Sequence, residues 1–371
     1  MRPEELRTPA ALVDAAVVDR NTARFSERIA GLGARLRPHV KTHKAVEAGR
    51  LQVRGHFGGI TVSTLAEARA FGAAGFRDVT WAVPIPPSKA AEAAALARQL
   101  DALHLLVDSD EAVTALEAQS SESARLSVFL KLDCGYHRAG VDPESPASLA
   151  LARRLADARH LDFRGVLAHA GHAYACRDPE AVRAVARQER AVSSGFAERL
   201  RDAGVEVPEV SIGSTPTATW AESLEGVTEM RPGNYAFFDA FQAAIGSCRL
   251  EDAAFSVLAS VIGCYPGRGR LVLDAGALAL SKDPGPTHVD PDCGFGVLST
   301  LRGEPVPLRL ASLSQEHGAA DGAPEAVARF PVGSRLRVVP NHSCLAAALH
   351  ERYHVVEGDR VVGEWRPVKG W

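Results

Sequence analysis

The stretch Leu103-His104-Leu105-Leu106-Val107-Asp108-Ser109-Asp110-Glu111-Ala112-Val113-Thr114-Ala115-Leu116-Glu117-Ala118 hands a short apolar run straight to an alanine-rich segment flanked by charge. The first part has the length of a buried strand and the second the pattern of a helix packed on it, so together they make one βα unit. Working outward, the same alternation recurs. Strands are expected at Ala34 to Val40, Gly59 to Val62, Val79 to Val83, Leu103 to Val107, Leu126 to Leu132, Phe163 to Ala168, Val210 to Gly213 and Val227 to Arg231. Helical patterns fill the intervals, among them Thr64 to Ala74, Ser88 to Leu100, Ala147 to Ala158 and Pro179 to Ala203. Eight such units predict an α/β fold of the closed (β/α)8 TIM-barrel type rather than an open doubly wound sheet.

Beyond Cys248 the texture changes. Long helical patterns give way to strands broken by turns, at Ser256 to Tyr265, Arg270 to Asp274, Pro307 to Leu313, Ser334 to Val339 and Tyr353 to Glu357. The expected division is therefore a barrel over 14–247 and a C-terminal β-rich domain over 248–371 that includes the N-terminal segment 1–13. Gly267 to Gly269 reads as a hairpin turn, and both Gly285 to Asp292 and His317 to Pro324 have the composition of loops.

A chain of 371 residues that is 46% hydrophobic and 23% charged can bury a large core. Its formal net charge of -3 gives no global electrostatic reason to bind nucleic acid or an anionic membrane, so a small-molecule partner is expected. Met1 to Arg7 carries charges where a signal peptide needs an apolar core, and no run is long enough to span a bilayer, which points to the cytoplasm. The six cysteines lack the spacing of a disulfide framework. Neither a Gly-x-Gly-x-x-Gly turn after a strand nor a Walker loop is present, which removes support for a dehydrogenase or an NTPase.

In barrels of this type chemistry sits at the C-terminal ends of the strands. Lys41 ends the first, where a partly desolvated amine can act as a nucleophile. The loop Asp133 to Gly140 carries Arg138 between two glycines, open either to a ring nitrogen or carboxylate, or to a structural ion pair with Asp133. His169 and His172 lie in Ala168-His169-Ala170-Gly171-His172-Ala173-Tyr174, where an imidazole can stack on a planar cofactor and another group can move protons. Gly213-Ser214-Thr215-Pro216 and Arg231-Pro232-Gly233-Asn234-Tyr235, after the last two strands, have the make-up of an anion site, with an ordinary helix cap as the plainer reading of the first. Pro340-Asn341-His342-Ser343-Cys344 follows a late strand; if the chain stays extended, imidazole and thiolate share a face and suit a soft divalent metal.

Taken together, Thr8-Pro9-Ala10, Arg37-Pro38-His39-Val40-Lys41-Thr42-His43-Lys44, the Asp133 to Gly140 loop, Ala168 to Tyr174, Arg231 to Tyr235 and Pro340 to Cys344 make the chain resemble the fold-type III pyridoxal-phosphate enzymes that group D-serine dehydratase with D-threonine aldolase. The resemblance runs over essentially the whole length. It implies a barrel that binds pyridoxal 5'-phosphate through an imine to Lys41, with His39, Arg138, His169, Tyr174, Gly213, Ser214, Thr215, Gly233, Asn234 and Tyr235 around the cofactor and Arg138 facing its ring nitrogen. It implies a β domain holding a divalent metal, zinc before manganese or magnesium, on His342 and Cys344, and a homodimer. Lys41, Tyr174 and His172 would be the catalytic set, acting on a β-hydroxy-D-amino acid. Elimination to a 2-oxo acid and ammonia is the first expectation, with retro-aldol cleavage to glycine and an aldehyde as the alternative. A racemase and a non-catalytic cofactor-binding protein are further alternatives. Gln315-Glu316-His317-Gly318 departs modestly from the acidic pair that the family pattern suggests before that histidine.

Overall fold

The computed structural model describes residues 1–371. Strand β1 (Ala10–Asp14) comes first; the next eight are β2 (Arg35–Leu36), β3 (Ile60–Val62), β4 (Asp78–Pro84), β5 (Ala102–Val107), β6 (Leu126–Lys131), β7 (Leu161–Leu167), β8 (Glu209–Ile212) and β9 (Glu229–Met230). These eight form one all-parallel sheet in the order β2-β9-β8-β7-β6-β5-β4-β3. A parallel bridge between His39 and Thr61 joins the two ends, with Thr61 N–H donating to the Pro38 carbonyl at 2.8 Å and Val40 N–H to the Thr61 carbonyl at 2.9 Å. The ring is closed, as eight βα units require.

Helices return the chain between strands at the expected places, including Leu65–Ala73, Asp110–Glu117, Pro146–Asp157 and Pro179–Asp202. Thr64, Ser109, Ser145 and Asp178 each cap one of them with a side-chain oxygen on a first-turn N–H.

One layer of the barrel interior is polar, beside an apolar layer of Leu106, Phe129 and Leu167. Arg37 is buried and donates from Nε to Glu229 Oε2 at 2.7 Å and from Nη1 to Asp78 Oδ1 at 2.5 Å. Asp78 also meets His104 Nε2 at 3.2 Å, and His104 Nδ1 lies 2.6 Å from Ser127 Oγ. On the other side Ser211 donates to Glu229 Oε1 at 2.6 Å, and Arg231 donates to Ser211 and to the Ala168 carbonyl. Burial pushes the Glu229 carboxyl up, but the Arg37 guanidinium outweighs it and holds the group below its ordinary value. Charges this deep persist only because each is paired and hydrogen-bonded.

The remaining strands are β10 (Phe255–Tyr265), β11 (Arg270–Leu273), β12 (Gly296–Ser299), β13 (Pro305–Leu313), β14 (Gly318–Asp321), β15 (Arg335–Pro340), β16 (Tyr353–Glu357) and β17 (Arg360–Trp365). With β1 they form a nine-stranded sheet, β11-β14-β13-β12-β15-β10-β1-β16-β17, and an extra β10–β11 pairing curls its first six strands into a barrel of their own. Only β1 and β16 run parallel. Gly267 and its neighbours make the β10–β11 turn, and 285–292 is a loop, both as expected. Residues 317–324 are not: Gly318–Asp321 is a strand, because β11 and β13 flank it and satisfy its backbone on both edges despite a sequence poor in strand formers.

Contacts divide the chain into one compact unit of Met1–Ala23, Thr42–Leu51 and Asn234–Pro367 and another of Arg24–Lys41, Gln52–Gly233 and Val368–Trp371. This boundary differs from the expected cut at 247/248. Val18, Ala45, Ala48 and Phe237 are buried in the same cluster as Phe255, Leu271, Leu310, Leu336 and Tyr353, so these early residues fold with the β-rich unit.

Candidate active site

In the barrel unit, Lys41 ends the extended segment after β2 and is half-buried. Its backbone N–H donates to His39 Nδ1 at 3.3 Å, which leaves Nε2 of that ring facing Ser63 Oγ at 3.4 Å. Burial first, and the Lys41 charge second, push the His39 imidazole well below its ordinary value; the same two causes in the same order act on His169. Both rings are neutral. His169 Nδ1 donates to the Gly213 carbonyl at 3.0 Å, which fixes the ring plane and the tautomer.

Two loops of this unit are set by one carboxylate. Glu189, fully buried on helix Pro179–Asp202, accepts the Ala170 N–H at 2.8 Å and the Gly213 N–H at 3.0 Å through Oε1. Ser214 N–H goes to Thr217 Oγ1 at 3.0 Å, and Ser214 Oγ accepts the Thr217 N–H. The Gly213 and Ser214 amides expected to face an anion are thus already engaged inside the protein.

Asp133 accepts the N–H groups of Gly135 and His137 at 2.9 Å each and the His137 ring at 2.8 Å. The alternative of an Asp133–Arg138 ion pair is not realised, because the local turn delivers His137 to that carboxylate. Arg138 instead lies over the Tyr136 ring, 5.1 Å from its centroid. Tyr136 in turn stacks on His172 (6.3 Å, 30°) and presents an edge to His169 (6.2 Å, 81°). It fits there because residue 171 is glycine: a Cβ would lie 2.2 Å from Tyr136 Cε1. Both ring nitrogens of His172 are buried without a hydrogen-bond partner, an arrangement that suits a polar guest. Tyr174 is half-buried on the same short 3-10 turn, Gly171–Ala175.

In the β-rich unit, Thr42, Asn234, Asp239 and the 342–344 segment come together. The extended-chain rationale for His342 and Cys344 does not hold, since a helix starts at Ser343 (Ser343–Leu349) with His342 as its cap. The two side chains still meet: Cys344, Asp283 and Asp239 overcome burial and lift the His342 imidazole to about 11. Cys344 Sγ is 3.2 Å from Thr42 Oγ1 and 3.6 Å from Asn234 Nδ2. Asn234 Nδ2 also donates to Asp239 Oδ2 at 2.7 Å, and that oxygen accepts the Ser343 N–H at 3.0 Å. Tyr235 is fully buried beside Asn234 in the turn Asn234–Ala236.

The residues fit the groups the family uses. An amine beside two neutral imidazoles and an unpartnered buried imidazole suits pyridoxal phosphate. One imidazole with one sulfur suits a soft divalent metal that takes its other ligands from substrate and water, because no group of three His, Cys, Asp or Glu side chains is placed to hold a metal. Sequence reasoning missed Lys131, Tyr136, Glu189, Asp239 and Asp283. Lys131, buried at the end of β6, was the most visible of these, as an amine at a strand end.

No helix is long and apolar enough to cross a membrane. Residues 13–240 match the family model of the alanine racemase N-terminal domain, and residues 254–356 that of a putative serine dehydratase domain. The D-threo-3-hydroxyaspartate dehydratase of Delftia sp. is 43% identical, with 99% of this chain and 98% of that protein covered. A solved structure of that enzyme, a cysteine-to-alanine variant described as metal-free, superposes with a TM-score of 0.95 at 41% identity over all of both chains. The D-serine dehydratase of Dictyostelium discoideum is 37% identical over 99% of this chain and 98% of its own length, and a D-threonine aldolase of Arthrobacter sp. 29% identical over 96% and 91%. The chain belongs to the D-serine dehydratase and D-threonine aldolase family, pyridoxal-phosphate-dependent lyases on the alanine racemase fold.

Proposed function

We propose that the protein eliminates water from a β-hydroxy-D-amino acid, D-threo-3-hydroxyaspartate or D-serine, to leave an enamine that water then hydrolyses to a 2-oxo acid and ammonia. The observation that carries this reading is a cysteine at the second metal position, set against Thr42 and Asn234, in a chain that shares near-complete coverage and 37% to 43% identity with two dehydratases. Retro-aldol cleavage is the second reading, favoured by the likeness to the aldolase.

Pyridoxal phosphate supplies an electron sink for the pair left at Cα, and a divalent metal supplies positive charge at the β-hydroxyl. Lys41 Nζ holds the cofactor and takes the proton from Cα. His39 and His169, kept neutral, put no positive charge beside the amine that would lower its basicity. His169, pinned by the Gly213 carbonyl, would give a flat face for the cofactor ring, and Arg138 would supply a charged N–H to the ring nitrogen. The loops of Gly213 to Thr215 and of Gly233 serve the phosphate end through groups other than the Gly213 and Ser214 amides, which Glu189 and Thr217 already hold. His172 and Tyr174 carry protons to and from the substrate's far side. His342 and Cys344 hold the metal, with zinc as the ion; a cytoplasmic homodimer completes the proposal.

The test is to incubate purified protein with D-threo-3-hydroxyaspartate, D-serine and D-threonine, with and without a chelator. The proposal expects 2-oxo acid and ammonia in equal amounts and their loss on chelation; glycine with an aldehyde would overturn it in favour of the aldolase reading. Lys41→Ala should abolish the visible absorbance of bound cofactor, and sedimentation and metal analysis of the same sample test the dimer and the zinc.

A further inference from the structure

Asn341 and Asp283 belong to no part of the chemistry derived so far. Asn341 is buried, 3% exposed, at the end of the stretch that leads into His342. Its Nδ2 donates to two carbonyls of one loop, Asp283 O at 3.2 Å and Gly294 O at 2.8 Å, so a single amide closes that loop at its base. The amide lies so close to the loop that a Cβ at residue 285 would be 2.3 Å from Asn341 Nδ2; Gly285, at φ +73°, is the residue that fits.

Closing the loop there aims one side chain. Asp283 Oδ1 is held within its own loop by the Gly285 N–H at 2.8 Å, and Oδ2 points outward to His342 Nδ1 at 3.1 Å. A carboxylate only accepts hydrogen bonds, so Nδ1 must carry the hydrogen. The lone pair for a metal is then the one on Nε2.

We propose that Asn341 and Asp283 are positioning residues that together fix His342 as a metal ligand through Nε2. The proposal rests on the reading of His342 and Cys344 as the metal pair and adds what orients them. Metal-bound histidines commonly donate their second ring N–H to a carboxylate, and removing that partner typically weakens metal binding by 10–100-fold. Here the carboxylate is 59 residues away in sequence and is delivered by a loop that the residue next to the ligand holds in place.

The experiment is a zinc titration of the cofactor-loaded protein against a competing chromophoric chelator, for wild type, D283A, D283N, N341A and H342A. Visible cofactor absorbance, measured alongside, reports that each variant retains the barrel site. D283A and N341A should bind zinc roughly 10–100-fold more weakly with cofactor absorbance unchanged, and D283N, which keeps an acceptor oxygen, should lose less. If D283A does not fold, the comparison of D283N with N341A decides. Wild-type zinc affinity in D283A or in both D283N and N341A, with H342A impaired, would overturn the clamp alone. Zinc affinity indifferent to H342A would overturn the metal reading and the clamp with it.

Discussion

Lys131 makes this protein less stable than it needs to be at neutral pH. Its amine is buried at the end of β6, with the Leu132 carbonyl at 3.2 Å as acceptor. Burial first, then the charges of Arg231 and Arg138, push it from the ordinary lysine value of 10.5 down to about 8, against the opposite pull of Cys134 and Glu189. At 1.36 kcal/mol per tenfold change in proton affinity, that drop corresponds to a folding penalty of about 3 kcal/mol while the amine is charged. Lys131→Met keeps the length of the stem, removes the ammonium and forfeits one hydrogen bond, for which about 1 kcal/mol is the usual net contribution. The variant should therefore be more stable by about 2 kcal/mol at pH 7.

The sign of the pH dependence follows from proton counting. Between about pH 8 and 10.5 the unfolded lysine binds a proton that the folded one does not, so wild-type stability rises with pH relative to the variant. The charge penalty is full below pH 8 and falls to about 1.4 kcal/mol near pH 9.5, so the advantage of Lys131→Met shrinks there to about 0.4 kcal/mol, and above 10.5 the variant is the less stable protein by the lost hydrogen bond, about 1 kcal/mol. Urea unfolding of both cofactor-free proteins at pH 7 and pH 9.5 measures it. A variant less stable than wild type at pH 7, or a difference that does not shrink at pH 9.5, would refute the argument. A destabilising amine kept beside Arg138 and Arg231 is the pattern of a stability cost carried for function, here positive charge at a strand end that serves an anionic ligand.

Glu229→Gln should lower the melting temperature by about 6–20 °C, because unpairing one member of a buried ion pair costs about 3–5 kcal/mol and each kcal/mol is worth roughly 2–4 °C in a domain of this size; a shift under 2 °C by scanning calorimetry would show that Asp78 alone satisfies Arg37. Gly171→Ala places a methyl 2.2 Å from the Tyr136 ring and must displace it. Cofactor retention, followed by dialysis and absorbance, should fall several-fold while the melting temperature of the cofactor-free protein changes little, and unaltered retention would remove Tyr136 from the site.

The barrel was readable because each of its strands is a local apolar run with a helical pattern beside it, a signal contained within about 30 residues. Its buried polar layer was not. Asp78, His104, Ser127, Ser211 and Glu229 lie on five different strands and Arg37 just beyond a sixth, and only closure of the sheet pairs them. The same distinction explains β14, whose Gly318-Ala319-Ala320-Asp321 has no strand character until β11 and β13 supply its hydrogen bonds. Motif residues such as Lys41, His342 and Cys344 stood out in the sequence; their supports Glu189, Asp239 and Asp283 did not, because a supporting carboxylate has no fixed spacing from the group it orients. Ala45, Ala48 and Phe237 lie within the barrel stretch of the chain, yet their apolar side chains join the core built around Phe255 and Tyr353, a partnership that no local pattern announces.

Glu189 sits on the outside helix yet holds Ala170 and Gly213, which belong to two different strand-end loops. The mouth of the barrel therefore borrows its stiffness from the outer wall, and the two loops are braced by one strut rather than two. Loosening that helix would slacken both rims together, the one with His169 and the one that opens onto Ser214, so heat or denaturant acting on the wall should be felt at the site before the strands themselves give way.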